Sequence, residues 1–302
     1  MRDTFVKTLT SYAKENKRII ILSGDIGNRM FDEFKNINKK KFYNCGIAEA
    51  NMISVASGLA SDGFLPFVYT ITPFITSRCL EQIKIGISYH NYPVTIVGTG
   101  SGLSYAELGP THHSFDDVAI LRALPNIRIF TPGDPNEVRD CIVEQLKNPK
   151  PTYIRLGKKG EPNLDFKNKF HNNKIRTLTK GGNILLLSLG NITHEASIAC
   201  QLLSKNNYKI SHSHVNCIKP FDKNFILKNS FKKIITLEEH SIYGGLSSTI
   251  AEIKSQYHLK FLHYSLGMGD KYLHKSTNQE NARGFYKITK DNIISLVKKI
   301  YD

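Results

Sequence analysis

The chain has 302 residues, 40% hydrophobic and 22% charged, with a formal net charge of +15 at pH 7. That length suffices for two domains with their own cores, and no apolar run reaches the roughly 18 residues that would cross a bilayer. Five cysteines, odd in number and without CxxC spacing, argue against a disulfide framework or a zinc site and for a reducing, cytoplasmic setting.

The opening "MRDTFVKTLTSYAKENK" places Phe5, Leu9 and Tyr12 at helical spacing and has no continuous apolar core, so it reads as a first helix and not a signal peptide. "RIIILSGD" follows as a short buried strand ending in Gly24-Asp25. The run Lys39-Lys40-Lys41 typifies the basic excess, which is spread thinly. No RNP-type aromatic motif, zinc-finger spacing or arginine-rich arm accompanies it, so it reads as a solvated basic surface and not a nucleic-acid footprint. "YNCGIAEANM" then puts Glu49 at the mouth of a helix that is small and apolar on nearly every side. On its own, such a carboxylate reads as the complement of a helix dipole.

"FLPFVYTI", "PVTIVGTG", "IRIFTPG" and "PTYIRLG" repeat the strand pattern with helical stretches between them. Thr72-Pro73 predicts an N-cap with proline at the first helical position. Ser114 to Asp117 has capping-box spacing, and Asp134-Pro135-Asn136-Glu137 is a capping box with proline at N1. Strands alternating with helices predict an α/β fold with a mostly parallel sheet covered on both faces. Ligands of such sheets bind beyond the carboxyl ends of strands, which singles out the loops Asp25 to Arg29, Thr70 to Phe74 and Gly98 to Ser114. From 161 to 180 the pattern gives way to a Lys- and Asn-rich crossover. A second, smaller α/β alternation fills 181–302, after a first domain over 1–160.

Four of these stretches, in this order, resemble the C-terminal half of the transketolase family, a pyrimidine-binding domain followed by a C-terminal domain. "GIAEANM" looks like the segment holding a cofactor-activating glutamate, and "GFLPFVYTITPF" like the strand and helix start that supply an aromatic platform. "ELGPTHHSFDDVAILRALPNIRIFTPGDPNE" resembles the long active-site loop and the elements after it. "EEHSIYGGLSS" is similar to a motif shared with deoxyxylulose-phosphate synthases and the β subunits of 2-oxo-acid dehydrogenases. The resemblance covers nearly the whole chain and implies two domains, each a mostly parallel sheet flanked by helices.

It also implies thiamine diphosphate as the cofactor, with Glu49 sharing a proton with the far nitrogen of the aminopyrimidine. A carboxyl group in apolar surroundings suits that exchange. Phe74 is the expected stacking partner of the pyrimidine, Asp25 matches a cofactor-proximal aspartate, and Ile71 stands where a second aromatic is usual. His112 matches a histidine that faces the substrate, able to donate to a developing alkoxide or to carry a proton. His113 replaces a usual glutamine and has an open role. Arg155 falls where a phosphate-gripping arginine is expected. From the residues alone, Asp25 is as readily a loop cap, the two histidines exposed loop residues and Arg155 a surface ion pair.

Two departures bear on the substrate. Leu108 stands in "ELGPTH" where transketolases carry an aspartate that reads a donor hydroxyl, and Gly100 stands where they carry a histidine. Leucine accepts no hydrogen bond, so the ordinary pentose phosphates lose specific recognition. A deoxy or modified sugar, a nucleotide-linked sugar or a 2-keto acid is expected instead.

The Gly-Asp pairs at "SGDIGN", "PGDPNE" and "MGDKYL" lack the following glycine and downstream asparagines with which thiamine enzymes hold metal and diphosphate. No metal ligands are therefore assigned to this chain. The resemblance implies a separate N-terminal-type subunit carrying the Gly-Asp-Gly motif and Mg²⁺ (or Ca²⁺), in an α₂β₂ heterotetramer active only when both chains are present. The leading expectation is a transferase moving a two-carbon ketol or acyl unit between carbonyl substrates, with no nucleic acid or membrane as partner. Alternatives are a decarboxylating 2-keto-acid enzyme subunit, like those of the 2-oxo-acid dehydrogenases or deoxyxylulose-phosphate synthase, and a non-catalytic assembly subunit.

Overall fold

Twelve strands assort into two sheets in the computed structural model, which describes residues 1–158, 160–171 and 173–301. The first sheet uses β1 (Ile19–Ser23), β2 (Phe42–Asn44), β3 (Leu65–Ile71), β4 (Thr95–Thr99), β5 (Arg128–Phe130) and β6 (Thr152–Arg155). The second uses β7 (Arg176–Thr179), β8 (Ile184–Leu189), β9 (Ser211–Val215), β11 (Lys233–Ser241) and β12 (Leu262–Met268). A short strand between them, β10 (Cys217–Lys219), leaves its neighbours to join the first sheet, so the orders are β10-β5-β6-β4-β3-β1-β2 and β12-β11-β8-β9-β7. β10 and β7 pair antiparallel at the sheet edges; the other pairings are parallel. The expected two-domain α/β architecture is present.

The strands are buried because helices cover both faces, which is why β1, β3, β4 and β8 read as continuous Ile, Leu, Val and Phe runs instead of alternating ones. Helix Arg2–Ala13 lays Phe5, Val6 and Leu9 on the first sheet, while Tyr12, expected on that face, is 41% exposed. One hydrophobic cluster runs from Ile20, Leu22 and Met52 through Val118 and Leu121 to Leu185, Leu187 and Leu246, so the domains share a core.

Three local expectations are corrected. The crossover at 161–180 contains β7, which is an edge strand of the second sheet. Thr72 does not cap: its Oγ1 donates to the Thr99 carbonyl at 3.1 Å and ties the short helix Thr72–Ile75 to the end of β4. Ser114 Oγ likewise donates to Asp117 Oδ1 at 2.8 Å instead of accepting from the helix that begins there. The Asp134 cap forms as expected, its Oδ1 accepting from Glu137 N at 2.8 Å. No helix among the described residues is long and apolar enough to cross a membrane.

β1, β3 and β4 are adjacent and parallel, so the loops leaving their carboxyl ends meet at one rim of the first sheet.

Candidate active site

Glu49 opens helix Glu49–Ser61 and is only 4% exposed. Its two oxygens face different neighbours. Oε2 takes a 2.6 Å ion pair from Arg78 Nη1. Oε1 looks toward Gly24 at the end of β1, where an added Cβ would lie 3.5 Å from Oε1 and 2.8 Å from Thr70 Oγ1. Only glycine lets that backbone approach so closely. The Thr70 hydroxyl beside it is buried and has no hydrogen-bond partner among the described residues. An orphaned donor next to a buried carboxylate oxygen calls for a polar ligand.

Phe74 sits on the first turn after β3, with the Arg78 guanidinium 4.4 Å from its ring centre and the His112 ring edge-on at 5.1 Å. Glu49, Phe74 and His112 are thus brought together from a helix start, a strand end and the long loop. His112 Nδ1 lies 2.9 Å from Thr111 Oγ1. Burial, reinforced by the neighbouring His113, lowers the His112 pKa despite the opposing Glu107 charge, so the imidazole is neutral near pH 7 and free to donate or accept. Ile71 is buried at the end of β3, three residues before Phe74 in the chain. Asp25 is exposed and clamps two loops together. Its Oδ1 accepts from Asn44 Nδ2 at 3.2 Å and its N–H donates to the Gly46 carbonyl at 3.1 Å.

Two expected substrate contacts fall elsewhere. Arg155 is fully buried, its Nε 2.8 Å from Asp117 Oδ2 and its Nη2 donating to the Ser114 and Glu239 carbonyls at 3.3 and 2.9 Å. A guanidinium enclosed this way reaches no phosphate. His113 is 3% exposed and folds under the loop, its Nε2 3.5 Å from the Ala106 carbonyl, so it supports the loop from inside. Leu108 lies at the loop tip, 50% exposed. Gly100 has φ +73°, and an added Cβ would overlap the ring of Tyr105. Tyr105 therefore fills the space that a larger residue at 100 would take.

Three residues went unread in the sequence. Arg78 lies four residues after Phe74, one helical turn on, a spacing that pairs side chains. Lys158 follows β6 in the loop where ligands are expected; its ammonium pairs with Glu107 and lies 4.6 Å over the Tyr105 ring. Tyr105 carries no local signal, because its partner is the empty side of a glycine.

The chain matches the transketolase pyrimidine-binding domain over residues 1–162 and the transketolase C-terminal domain over 173–293. It is 32% identical over 256 residues to a 6-deoxy-6-sulfo-D-fructose transketolase subunit of Clostridium sp. (strain MSTE9), covering 83% of this chain and 80% of that one. It is 33% identical over 261 residues to an apulose-4-phosphate transketolase subunit of Actinobacillus succinogenes, covering 85% and 83%. A solved structure described as a split-gene transketolase, inactive β4 tetramer, superposes with a TM-score of 0.87 at 27% identity, over 99% of this chain and 96% of that one. With both domains matched in order and Glu49, Phe74 and His112 brought to one rim, the chain belongs to the transketolase family, as the subunit that carries the pyrimidine-binding and C-terminal domains of a split enzyme.

Proposed function

We propose that this chain activates thiamine diphosphate through Glu49 while a partner subunit holds the diphosphate and its Mg²⁺, in a cytoplasmic α₂β₂ assembly that moves a two-carbon ketol unit between atypical sugars. The observation that carries this reading is that Arg78 ties Glu49 to Phe74, which meets His112, while Glu49 Oε1 and the Thr70 hydroxyl, unpartnered among the described residues, both face Gly24. An aminopyrimidine offers what that pocket lacks: a flat face for Phe74 and polar nitrogens for Glu49 and Thr70. The cofactor, when bound, supplies a nucleophilic carbon that splits a ketose beside its carbonyl.

The chain's own residues do the rest. Glu49 Oε1 holds a proton at the pyrimidine edge, while Oε2 stays anchored on Arg78. Phe74 orients the ring. His112, neutral at working pH, donates to or accepts a proton from substrate oxygen. Lys158, partly exposed over the Tyr105 ring, is the cation placed to meet an anionic substrate end, in the role first expected of Arg155.

Two observations support unusual sugars. Leu108 offers no acceptor at the loop tip, and Tyr105 occupies the space over Gly100. The relatives above are named for a sulfonated ketose and for apulose phosphate. Leu108 also suits a donor lacking the usual hydroxyl, which keeps a decarboxylated 2-keto acid as the second reading.

The test is co-expression with an N-terminal-type transketolase subunit that bears a Gly-Asp-Gly motif, followed by a donor and acceptor screen with and without thiamine diphosphate. Cofactor-dependent two-carbon transfer from a modified ketose is expected. Normal rates with xylulose 5-phosphate and ribose 5-phosphate would remove the claim of atypical substrates, and carbon dioxide release from a 2-keto acid would favour the second reading.

A further inference from the structure

β11 ends in three consecutive buried ionisable residues, Glu238, Glu239 and His240, at the head of the "EEHSIYGGLSS" stretch. Glu238 faces its own domain, accepting from Leu246 N and Ser247 N at 2.7 Å each and so capping helix Leu246–Gln256. Glu239 faces the first domain. Its Oε1 accepts the Leu103 backbone N–H at 2.6 Å, and Gln279 Nε2 reaches the same oxygen at 2.9 Å. Its Oε2 takes both Nε and Nη2 of Arg283, at 2.9 and 2.7 Å. Its backbone carbonyl accepts Arg155 Nη2, which also reaches the Ser114 carbonyl.

These contacts land on the two ends of the loop that carries His112. Leu103 adjoins Gly102, and Gly102 is bridged to Ser114, whose N–H donates to the Gly102 carbonyl at 2.9 Å. Gly102 has φ +64°, and an added Cβ there would press on the Glu239 carbonyl and side chain at 2.7 to 2.9 Å. Ser241 N donates to the Phe115 carbonyl at 2.8 Å just beyond the loop. Within the first domain the loop is held by the Gly102–Ser114 bridge, by Ser101 N on the Leu156 carbonyl, by the Glu107–Lys158 pair and by Arg155. The second domain fixes where that bridge sits.

We propose that Glu239 is a positioning residue: from the C-terminal domain it sets the conformation of the 101–115 loop and thereby the placement of His112. Its catalytic consequence rests on the function proposed above; its structural part does not. The "EEHSIYGGLSS" stretch then gains a divided role, Glu238 for the second domain and Glu239 for the active-site loop. Arg155 becomes the relay between Glu239 and Ser114.

Amide hydrogen exchange on the lone full chain tests the structural part. Glu239→Ala is expected to raise exchange within 101–115 by about tenfold or more, since it removes a buried charged acceptor. Glu239→Gln, which keeps an acceptor for Leu103 N but turns an amide NH₂ toward the Arg283 guanidinium, is expected to raise it less than Glu239→Ala. Glu252→Ala breaks the Arg122–Glu252 pair elsewhere between the domains and is expected to leave the loop unchanged. Should Glu239→Ala fail to fold, Arg283→Lys replaces the two-pronged grip on Glu239 Oε2 with a single ammonium, with an expected rise of about threefold. Loop exchange that is the same in wild type and these variants, or that rises equally in Glu252→Ala, overturns the proposal.

In the reconstituted complex, Glu239→Ala is expected to lower kcat about tenfold with little change in donor KM, and Glu239→Gln to lower it less. An equal loss in both variants, or a pure KM effect, overturns the link to His112. A wild-type complex without two-carbon transfer overturns the proposed function instead, and the exchange result then judges the clamp by itself.

Discussion

Arg78 Nη1 lies 2.6 Å from Glu49 Oε2 while the same guanidinium covers the Phe74 ring at 4.4 Å. One arginine thus fixes the two side chains assigned to the pyrimidine and leaves Glu49 Oε1 as the oxygen that faces Gly24 and Thr70. A carboxylate held by one oxygen cannot rotate the other away from its ligand.

That arrangement gives Arg78→Ala a defined outcome. The pair is 44% exposed on the arginine side, so its loss costs about 1 kcal/mol after solvent screening. Thiamine diphosphate affinity of the complex is expected to fall about fivefold, with the fold intact by circular dichroism. Unchanged affinity by calorimetry would show that Glu49 needs no anchor.

Glu49→Gln tests the proton directly. Glutamine keeps the shape and one acceptor but cannot share a proton, so kcat of the reconstituted complex is expected to fall by about 10² to 10⁴-fold. Activity within a few-fold of wild type would return Glu49 to the role of a helix-start carboxylate and revive the assembly-subunit reading.

The lone chain offers the pyrimidine only one side of a site. Titrating thiamine diphosphate and Mg²⁺ into it by calorimetry is expected to give weak or no binding, and the same titration into the complex a stoichiometric one. Tight binding by the chain alone contradicts the split.

What the sequence made legible follows from how local each signal is. Glu49 and Phe74 lie at helix starts and His112 in the long loop after β4, each inside a contiguous motif, and the sheet order brings these segments to one rim. Arg155 was misread for a reason of parity. Residues two apart on a strand share a face, and Tyr153 and Arg155 both turn to Asp117, at 2.7 and 2.8 Å. No motif shows that a carboxylate waits there. The edge strands β7 and β10 were missed because four and three residues carry little pattern of their own and are defined by their partners, β9 and β5.

Stability should depend on acid through buried histidines. Burial pushes the pKa of His212 down to about 3 and those of His240 and His263 down to about 4. Each is depressed below its unfolded value, so its stabilisation is present above about pH 6.5 and is lost as pH falls toward 4. Glu238, raised by burial to about 7, acts in the opposite sense, gaining stability as pH falls through the same window. Asp116, Asp134 and Asp140 are raised by burial too and act in the same sense as Glu238, so the histidine contribution is read by difference: the melting temperature of His212→Gln is expected to fall less than that of wild type between pH 6.5 and 4.5. An equal change in both would show that the His212 imidazole takes up its proton without cost to the fold.

The substrate claim turns on Gly100, Tyr105 and Leu108 together. Gly100→His alone meets two obstacles: φ +73° disfavours a side chain, and the Tyr105 ring fills the space. It is expected to destabilise the chain by about 1–3 kcal/mol and to gain no pentose-phosphate activity. Tyr105→Val clears the space, and Leu108→Asp restores an acceptor at the loop tip. The triple variant in the complex is therefore expected to raise kcat/KM for xylulose 5-phosphate by at least about tenfold while lowering it for the native donor, because a hydrogen bond regained to a charged acceptor is worth about 1.5–3 kcal/mol. If Leu108→Asp alone produces the whole gain, Tyr105 is only a packing residue. If no combination shifts the ratio, donor choice lies with the partner subunit.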